Sequence, residues 1–421
     1  MNKQKKILIV VSIISVVLAV TMGVLGAVLL SKENKEGEPT TNKPANNQSV
    51  EITATGDFEI DLFRESFVAS QSNGGFNTVI SPLSIKMAMA MVTEGAKEET
   101  LTELREVLEL DENSKTYYQN LIDDISGQDD VTLAIANSLW SREGLEFKQD
   151  FVDLLGDYYY AEATSLDFND SSSVDTINSW VKDNTDGKID KILEEIDPLE
   201  IMYLINAIYF NADWTEQFNE DHTQEKDFTL IDGSIIQTDL MSMDSDFLYQ
   251  ENDDFQAVEL PYGENGRYVM RVYLPNEGKE IDEFVSSDMT REKLNKWKEG
   301  FSLMEGYLEL PKFKIEYSSS LEDVLKNLGI RKAFDSGSAN FKGIIDQNAY
   351  ISKVFHKTYI DVGEKGTEAA AVTMIGMSLM SMPTEQKETF KMIVDRPFFF
   401  TIDDTQNDEI LFMGTILNPT K

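Results

Sequence analysis

The stretch Asp361 to Pro383, DVGEKGTEAAAVTMIGMSLMSMP, constrains this chain more than any other. Strong strand patterns flank it, KVFHKTYIDV before and FKMIVDRPFFFTID after. These anchors lie roughly 25 residues apart, and a connection longer than about 12–15 residues with no structure of its own is functional or disordered. Composition argues against disorder, because nothing between Glu368 and Pro383 is charged and many residues are apolar. Read with a period of two, Thr367, Ala369, Ala371, Thr373, Ile375 and Met377 share one face, uncharged and small at its start. Glu368, Ala370, Val372, Met374, Gly376 and Ser378 share the other. A loop therefore carries the pattern of a strand. Gly363 and Gly366 supply permissive backbone where it would have to fold inward.

The rest of the chain narrows the chemistry. It has 421 residues, 41% of them hydrophobic, which is enough for a sizeable core. Length alone allows two or three domains. There is no cysteine, so no disulfide, thiolate nucleophile, Cys-bound metal or lipidated Cys is available. His222 and His356 are the two histidines, which nearly removes His-based metal or triad chemistry. His356 is read as a structural residue near the base of the loop and His222 as a surface residue. No cofactor is expected. The segment Asp167–Asp175 lacks the Gly and terminal Glu of a calcium loop, and SGSANF is not a nucleophile elbow. A net charge of −38 argues against nucleic acid, whose binding needs cations to displace counterions. It favours solubility and a basic partner.

Residues 1–30 read as an export segment. Lys3, Lys5 and Lys6 precede Ile7–Leu30, an uncharged apolar run long enough to span a bilayer. We expect a retained anchor, with cleavage near Gly23, Gly26 or Ala27 as the alternative. Residues 31–50 form a polar linker containing Pro39 and Pro44. Folded sequence runs from 51 to 421. It opens with helical patterns from Asp57 to Ser70, from Ser81 through Pro82 to Gly95, and from Glu98 to Leu108. Val131–Trp140 is a buried-strand candidate, and INSWVKDNTDGKIDKIL a helix ended at Gly187. Strands follow in IMYLINAIYFNADWTEQF, Leu260–Tyr262, YVMRVYLP and YLELPKFKIEY. LEDVLKNLGI is a helix closed by Gly329, and EILFMGTILNP is a last strand.

Several of these segments together resemble one family. Glu364, Gly366, Thr367, Glu368, Ala369, Ala370 and Ala371 match the proximal hinge of the serpins. Other motifs of the same family are matched by Asn77, Ser81, Pro82 and Ser84; by Trp180, Thr185, Gly187, Lys188 and Ile189; by Asn206, Ala207, Tyr209, Phe210, Trp214 and Phe218; and by Arg396, Pro397, Phe398, Phe412, Gly414 and Pro419. The resemblance implies an α+β fold in one domain, with three β-sheets, about nine α-helices and an exposed reactive-centre loop over about 364–390. One departure is Lys365, where the family often has an acid; it is expected to stay solvated.

The resemblance also implies a function. Such a chain is no enzyme; it is a substrate that jams its enzyme. A serine protease attacks a loop bond and forms an acyl-enzyme. The freed segment inserts into the central sheet, held open for it, and drags the protease about 50 Å at ~3.3 Å per residue. Deacylation then stalls, since a displacement near 1 Å can cost on the order of 10²-fold in rate. The absence of charge on the inward face, with Thr373, Ile375 and Met377 along it, favours an inhibitor over a non-inhibitory binding or carrier relative. Cross-class inhibition of cysteine proteases is a further alternative. In the family the reactive residue lies fourteen places after the hinge Gly, which gives Met380–Ser381 here, with Leu379–Met380 as the neighbouring choice. Met377, Ser378, Leu379 and Met382 flank it. No Lys or Arg occurs between Lys365 and Lys387, so the target pocket is apolar: elastase-, chymotrypsin- or subtilisin-like. The partner is expected to be a basic serine protease, the chain a monomer, and its place the outer face of a bacterial membrane, or secreted if the anchor is cut.

Overall fold

The computed structural model describes residues 54–75, 77–126, 131–286, 289–367 and 389–421. Among the described residues there are nine α-helices: α1 (Phe58–Ser72), α2 (Pro82–Gly95), α3 (Glu98–Leu108), α4 (Ser114–Ser126), α5 (Gln149–Tyr159), α6 (Ser172–Asp183), α7 (Ile281–Ser286), α8 (Arg291–Glu299) and α9 (Glu322–Asn327). Helix α2 starts as its sequence demands. The Ser81 hydroxyl accepts from the Ser84 N–H at 3.2 Å, and Pro82 takes the first turn, where no N–H is needed. Half of its residues are Met, Ala, Leu or Ile, and these are buried in the core. Helix α6 stops at Asp183, and the segment after it closes when Gly187, at φ +74°, donates its N–H to Lys182 O at 2.8 Å.

The central sheet has six strands, in the order β10 (Phe313–Ser320), β11 (Lys353–Val362), β12 (Gly366–Thr367), β4 (Met202–Asp213), β2 (Val131–Arg142) and β3 (Glu162–Leu166). Strand β4 is buried on both faces, which is why it reads as a near-continuous apolar run, interrupted by Asn206 and Asn211. Met202, Leu204, Ile208, Phe210 and Ala212 enter the main core. Tyr203, Ile205, Ala207 and Tyr209 face the second cluster, with Ile177 and Val181 of α6.

The remaining strands form one hydrogen-bonded network: β1 (Asn77–Ile80), β15 (Glu409–Ile416), β14 (Phe398–Asp404), β8 (Tyr268–Pro275), β7 (Phe255–Tyr262), β6 (Ile235–Glu251), β9 (Ser302–Pro311) and β13 (Phe390–Ile393), with β5 (Gln224–Thr229) also on β6. Strand β6 belongs to two sheets. Its start and middle pair with β5 and β9, and its last residues, Leu248–Glu251, pair with β7. The network is thus a larger sheet and a small one, and the molecule has the three sheets expected. YLELPKFKIEY is divided at Lys312 into β9 and β10, which serve different sheets. Among the described residues no helix is long and apolar enough to cross a membrane; the run Ile7–Leu30 lies outside them.

Candidate functional site

The centre of the site is a seam. Strands β11 and β4 run parallel and pair directly from Lys353↔Tyr203 to Tyr359↔Tyr209. The slot expected to stand open for an incoming strand is therefore closed over most of its length. Beyond Tyr209 and Tyr359 the two strands admit β12. Thr367 pairs antiparallel with Ala212 on one side and with Val362 on the other, and Gly366 with Asp213. The chain that leaves β11 has turned back and started a new strand between its neighbours.

Four hinge contacts hold that start. The turn closes through Gly363 N–H to Gly366 O at 2.9 Å. Trp214 donates from its indole to Gly363 O at 2.9 Å and from its backbone to Lys365 O at 2.8 Å, and Phe218 N–H donates to Glu364 O at 2.8 Å. Trp214 also stacks on Tyr262, with centroids 4.3 Å apart. The Tyr262 hydroxyl meets the Thr367 hydroxyl at 2.6 Å, and Thr367 is fully buried. Gly366 is required by space: a Cβ there would lie 2.1 Å from Ala212 O. At Gly363 a Cβ would meet nothing, so the freedom expected of both glycines matters at one.

Glu364 is held by charge. Its carboxylate accepts from the Thr223 hydroxyl at 2.8 Å and pairs with Lys312 at 3.0 Å. Burial raises this carboxyl, but the bonds from Lys312 and Thr223 outweigh it and leave it below the ordinary value. Lys365 is less solvated than expected; it is a quarter exposed and 3.8 Å from Glu220.

A buried polar group bridges the seam. Ser81 N–H donates to His356 Nε2 at 3.3 Å, which assigns the ring proton to Nδ1, and Nδ1–H donates to Asn206 Oδ1. Ser84 Oγ donates to the same oxygen at 3.0 Å, and Asn206 donates to Asn137 Oδ1 at 2.6 Å. Burial pushes the His356 imidazole down to about 3, so it is neutral at physiological pH. His356 is structural, as expected, but it sits in the middle of the seam rather than at the loop base. His222 is exposed.

Of the predicted hinge, the structure brings Glu364, Gly366 and Thr367 together between β4 and β11. Glu368, Ala369, Ala370, Ala371, Thr373, Ile375, Met377, Ser378, Leu379, Met380, Ser381 and Met382 lie outside the described residues. In the sequence Trp214 stands out only as a match to the family. Its clamp on the hinge, like the roles of Lys312, Thr223 and Asn137, had no local signal, because each partner is distant in sequence.

The comparisons agree with this geometry. A family model described as serpin (serine protease inhibitor) matches residues 53–419. A serpin-like protein of Thermococcus kodakarensis is 34% identical over 87% of this chain and 85% of its own. Neuroserpin of Gallus gallus is 33% identical over 82% and 86%. Among solved structures, the native state of Tengpin, a thermophilic serpin, superposes with a TM-score of 0.78 at 33% identity, covering 91% of this chain and 97% of Tengpin. Human thyroxine-binding globulin in complex with its ligand gives 0.78 at 28% identity, over 87% and 98%. The two sequence relatives are archaeal and avian, so the expected bacterial origin gains no support from them. The chain carries a hinge seated at the head of a closed parallel seam, within a domain that the family model matches almost end to end: it belongs to the serpin family.

Proposed function

We propose that this serpin is an irreversible suicide-substrate inhibitor of serine proteases with apolar primary specificity. The observation that carries the reading is the register of β12. Continued antiparallel from Thr367↔Ala212, the inward loop residues come level with the core-facing residues of β4: Ala369 with Phe210, Ala371 with Ile208, Ile375 with Leu204, Met377 with Met202. Thr373, the polar inward residue between them, comes level with Asn206 and His356, the polar pair that bridges the seam. An inserted strand thus meets apolar with apolar and polar with polar. It also replaces one parallel seam with two antiparallel ones, which are slightly more stable per residue. It adds a row of hydrogen bonds, each worth about 0.5–1.5 kcal/mol net.

The same register sets the distance. Met380 comes level with Leu199, just below the start of β4 at Met202. At about 3.3 Å per residue, an enzyme acylated at Met380 would travel roughly 43 Å, the length of the sheet. Cleavage at Met380–Ser381 exploits that span in full. The acyl bond forms on the Met380 carbonyl and the Ser381 amine leaves, so insertion starts with the protease still attached.

The test is a denaturing gel. Mixed with elastase-, chymotrypsin- and subtilisin-type enzymes, the chain is expected to form an adduct that survives boiling. Clean cleavage without adduct would indicate a carrier or a plain substrate, and an adduct with a papain-type enzyme alone would indicate cross-class inhibition. The Ile7–Leu30 run is proposed to hold the inhibitor on the outer membrane face. Fractionation of intact cells tests this: protein in the membrane fraction with its N-terminus intact agrees, and release with a new N-terminus near Ala27 contradicts it.

A further inference from the structure

A recess of about 130 Å³ lies among α2, α3, the start of α4 and the end of α5, and it shares no lining residue with the seam. Its walls follow from the helices. On α2, Ala90, Thr93 and Glu94 have the spacing that puts side chains on one face. Ala90 is too small to fill the space, and Thr93 spends its hydroxyl on Met89 O at 2.9 Å. On α3, Leu101 and Arg105 stand one turn apart. That helix ends where Glu109 takes a left-handed φ of +57°, and Leu110 donates its N–H to Arg105 O at 3.0 Å. The reversal makes Leu110 part of the wall, and Tyr159, the buried last residue of α5, completes it.

Charges of opposite sign border this recess without meeting. Glu94 is half-buried and receives the Tyr159 hydroxyl at 3.4 Å, a long contact. Lys97 and Arg105 are exposed. Among the described residues no carboxylate stands within 4.0 Å of either cation, and no cation within 4.0 Å of Glu94. With 75 acidic residues against 37 basic ones, a cation on this chain has acids to choose from, so two left unpaired at one recess need a reason. The other acid here, Asp111, is occupied by its own turn, accepting from Asn113 N–H at 2.8 Å and the Ser114 hydroxyl at 3.1 Å. The recess itself supplies the reason: it holds Glu94 apart from Lys97 and Arg105.

A cavity of about 150 Å³ holds a molecule the size of benzene, so this one has room for a small amino acid. Such a molecule carries both missing charges. Its ammonium group donates to Glu94, and its carboxylate accepts from the planar fork of Arg105, with Lys97 beside it. Its side chain lies against Ala90, Leu101 and Tyr159. An apolar recess with a few convergent polar groups is the usual build of a small-molecule site. We propose that this recess binds a small zwitterion, a free α-amino acid between alanine and valine in size. The bound molecule ties α2 to α3. The site does not depend on the inhibitor reading.

The experiment uses the full chain. It is heated with L-alanine, L-serine or L-valine, and with acetate or methylammonium as controls that carry one charge each. Binding is measured separately by saturation-transfer NMR. At least one amino acid is expected to raise the melting temperature by about 3 °C when present at about 100 times its dissociation constant, and neither control should. Glu94→Gln and Arg105→Gln are each expected to weaken binding about 10-fold or more. Neither side chain has an ionic partner in the free chain, so both variants are expected to fold. If one melts below the wild type, contacts between the bound amino acid and the Tyr159 ring decide instead: their presence supports the site and their absence overturns it. No amino acid binding by either readout overturns the proposal. Acetate that binds as well as the amino acids overturns it by making this an anion site. Binding that both variants leave unchanged overturns it by placing the ligand elsewhere.

Discussion

Glu409, at the start of β15, is a carboxyl that its surroundings make costly to ionise. It receives the Tyr117 hydroxyl from α4 and feels Glu59 of α1, Lys86 of α2 and Arg291 of α8. Burial first, then the Glu59 carboxylate, pushes its carboxyl up to about 7. In the unfolded chain it titrates near 4.3, so between about pH 4.3 and 7 the folded chain binds the extra proton. Stability falls as pH rises through that window. His356 works in the opposite sense: held near 3 when folded and about 6.5 when unfolded, it contributes fully above pH 6.5 and is lost on acidification. We expect Glu409→Gln to melt higher than wild type at pH 8 and to match it near pH 4, a difference on the order of 2 kcal/mol; parallel curves would exclude Glu409 as the titrating group. Gly366 yields a second residue-scale prediction. A Val there must push Ala212 O aside, and overpacking costs roughly 1–3 kcal/mol. About 1.4 kcal/mol on the insertion barrier slows it tenfold. Gly366→Val should therefore raise the ratio of cleaved inhibitor to adduct by about 10-fold or more, read from gels; an unchanged ratio would mean the hinge does not enter where β12 begins.

Among the elements, β12 matters most, since a two-residue strand fixes the frame of everything that follows it. Thr373→Lys puts a cation level with the buried Asn206–His356 pair. An unpaired buried charge costs several kcal/mol. The variant should be cut at the normal rate and release active protease with no adduct; a normal adduct yield would break the register argument. Much of this element was legible in sequence. The period of two in the loop is intrinsic to the strand it is written to become, and Thr367, the one inward residue described beyond the hinge Gly, is buried as that period demands. The closed seam was not legible, because β4 and β11 read equally apolar whether they flank each other or a third strand. Strand β6 went unread for a related reason. It pairs with β5, β9 and β7 in turn, so its burial does not alternate regularly along its length. The division of YLELPKFKIEY at Lys312 is similar: two strands of different sheets abut without a turn residue between them.

At the scale of the whole molecule, we propose that the six-stranded sheet is held short of its most stable pairing until the loop is cut. Among the described residues the main core runs from Phe58 to Leu417 with no contribution from the loop beyond Thr367, which leaves the gain from insertion in reserve on this proposal. The cut that releases it should fall at a defined point. Mass analysis of the small fragment freed by a target protease should begin it at Ser381, and a cut outside 377–383 would contradict the apolar specificity argued from Met380. The most direct test of the reserve itself is a heating scan of the chain before and after its loop is cut by a protease it does not trap. Ten or so new hydrogen bonds at about 0.5 kcal/mol or more each amount to at least ~5 kcal/mol, which raises the melting temperature by about 6 °C or more for a folded part of this size. The account predicts that rise. A cut chain that melts with the intact one, or below it, would contradict it.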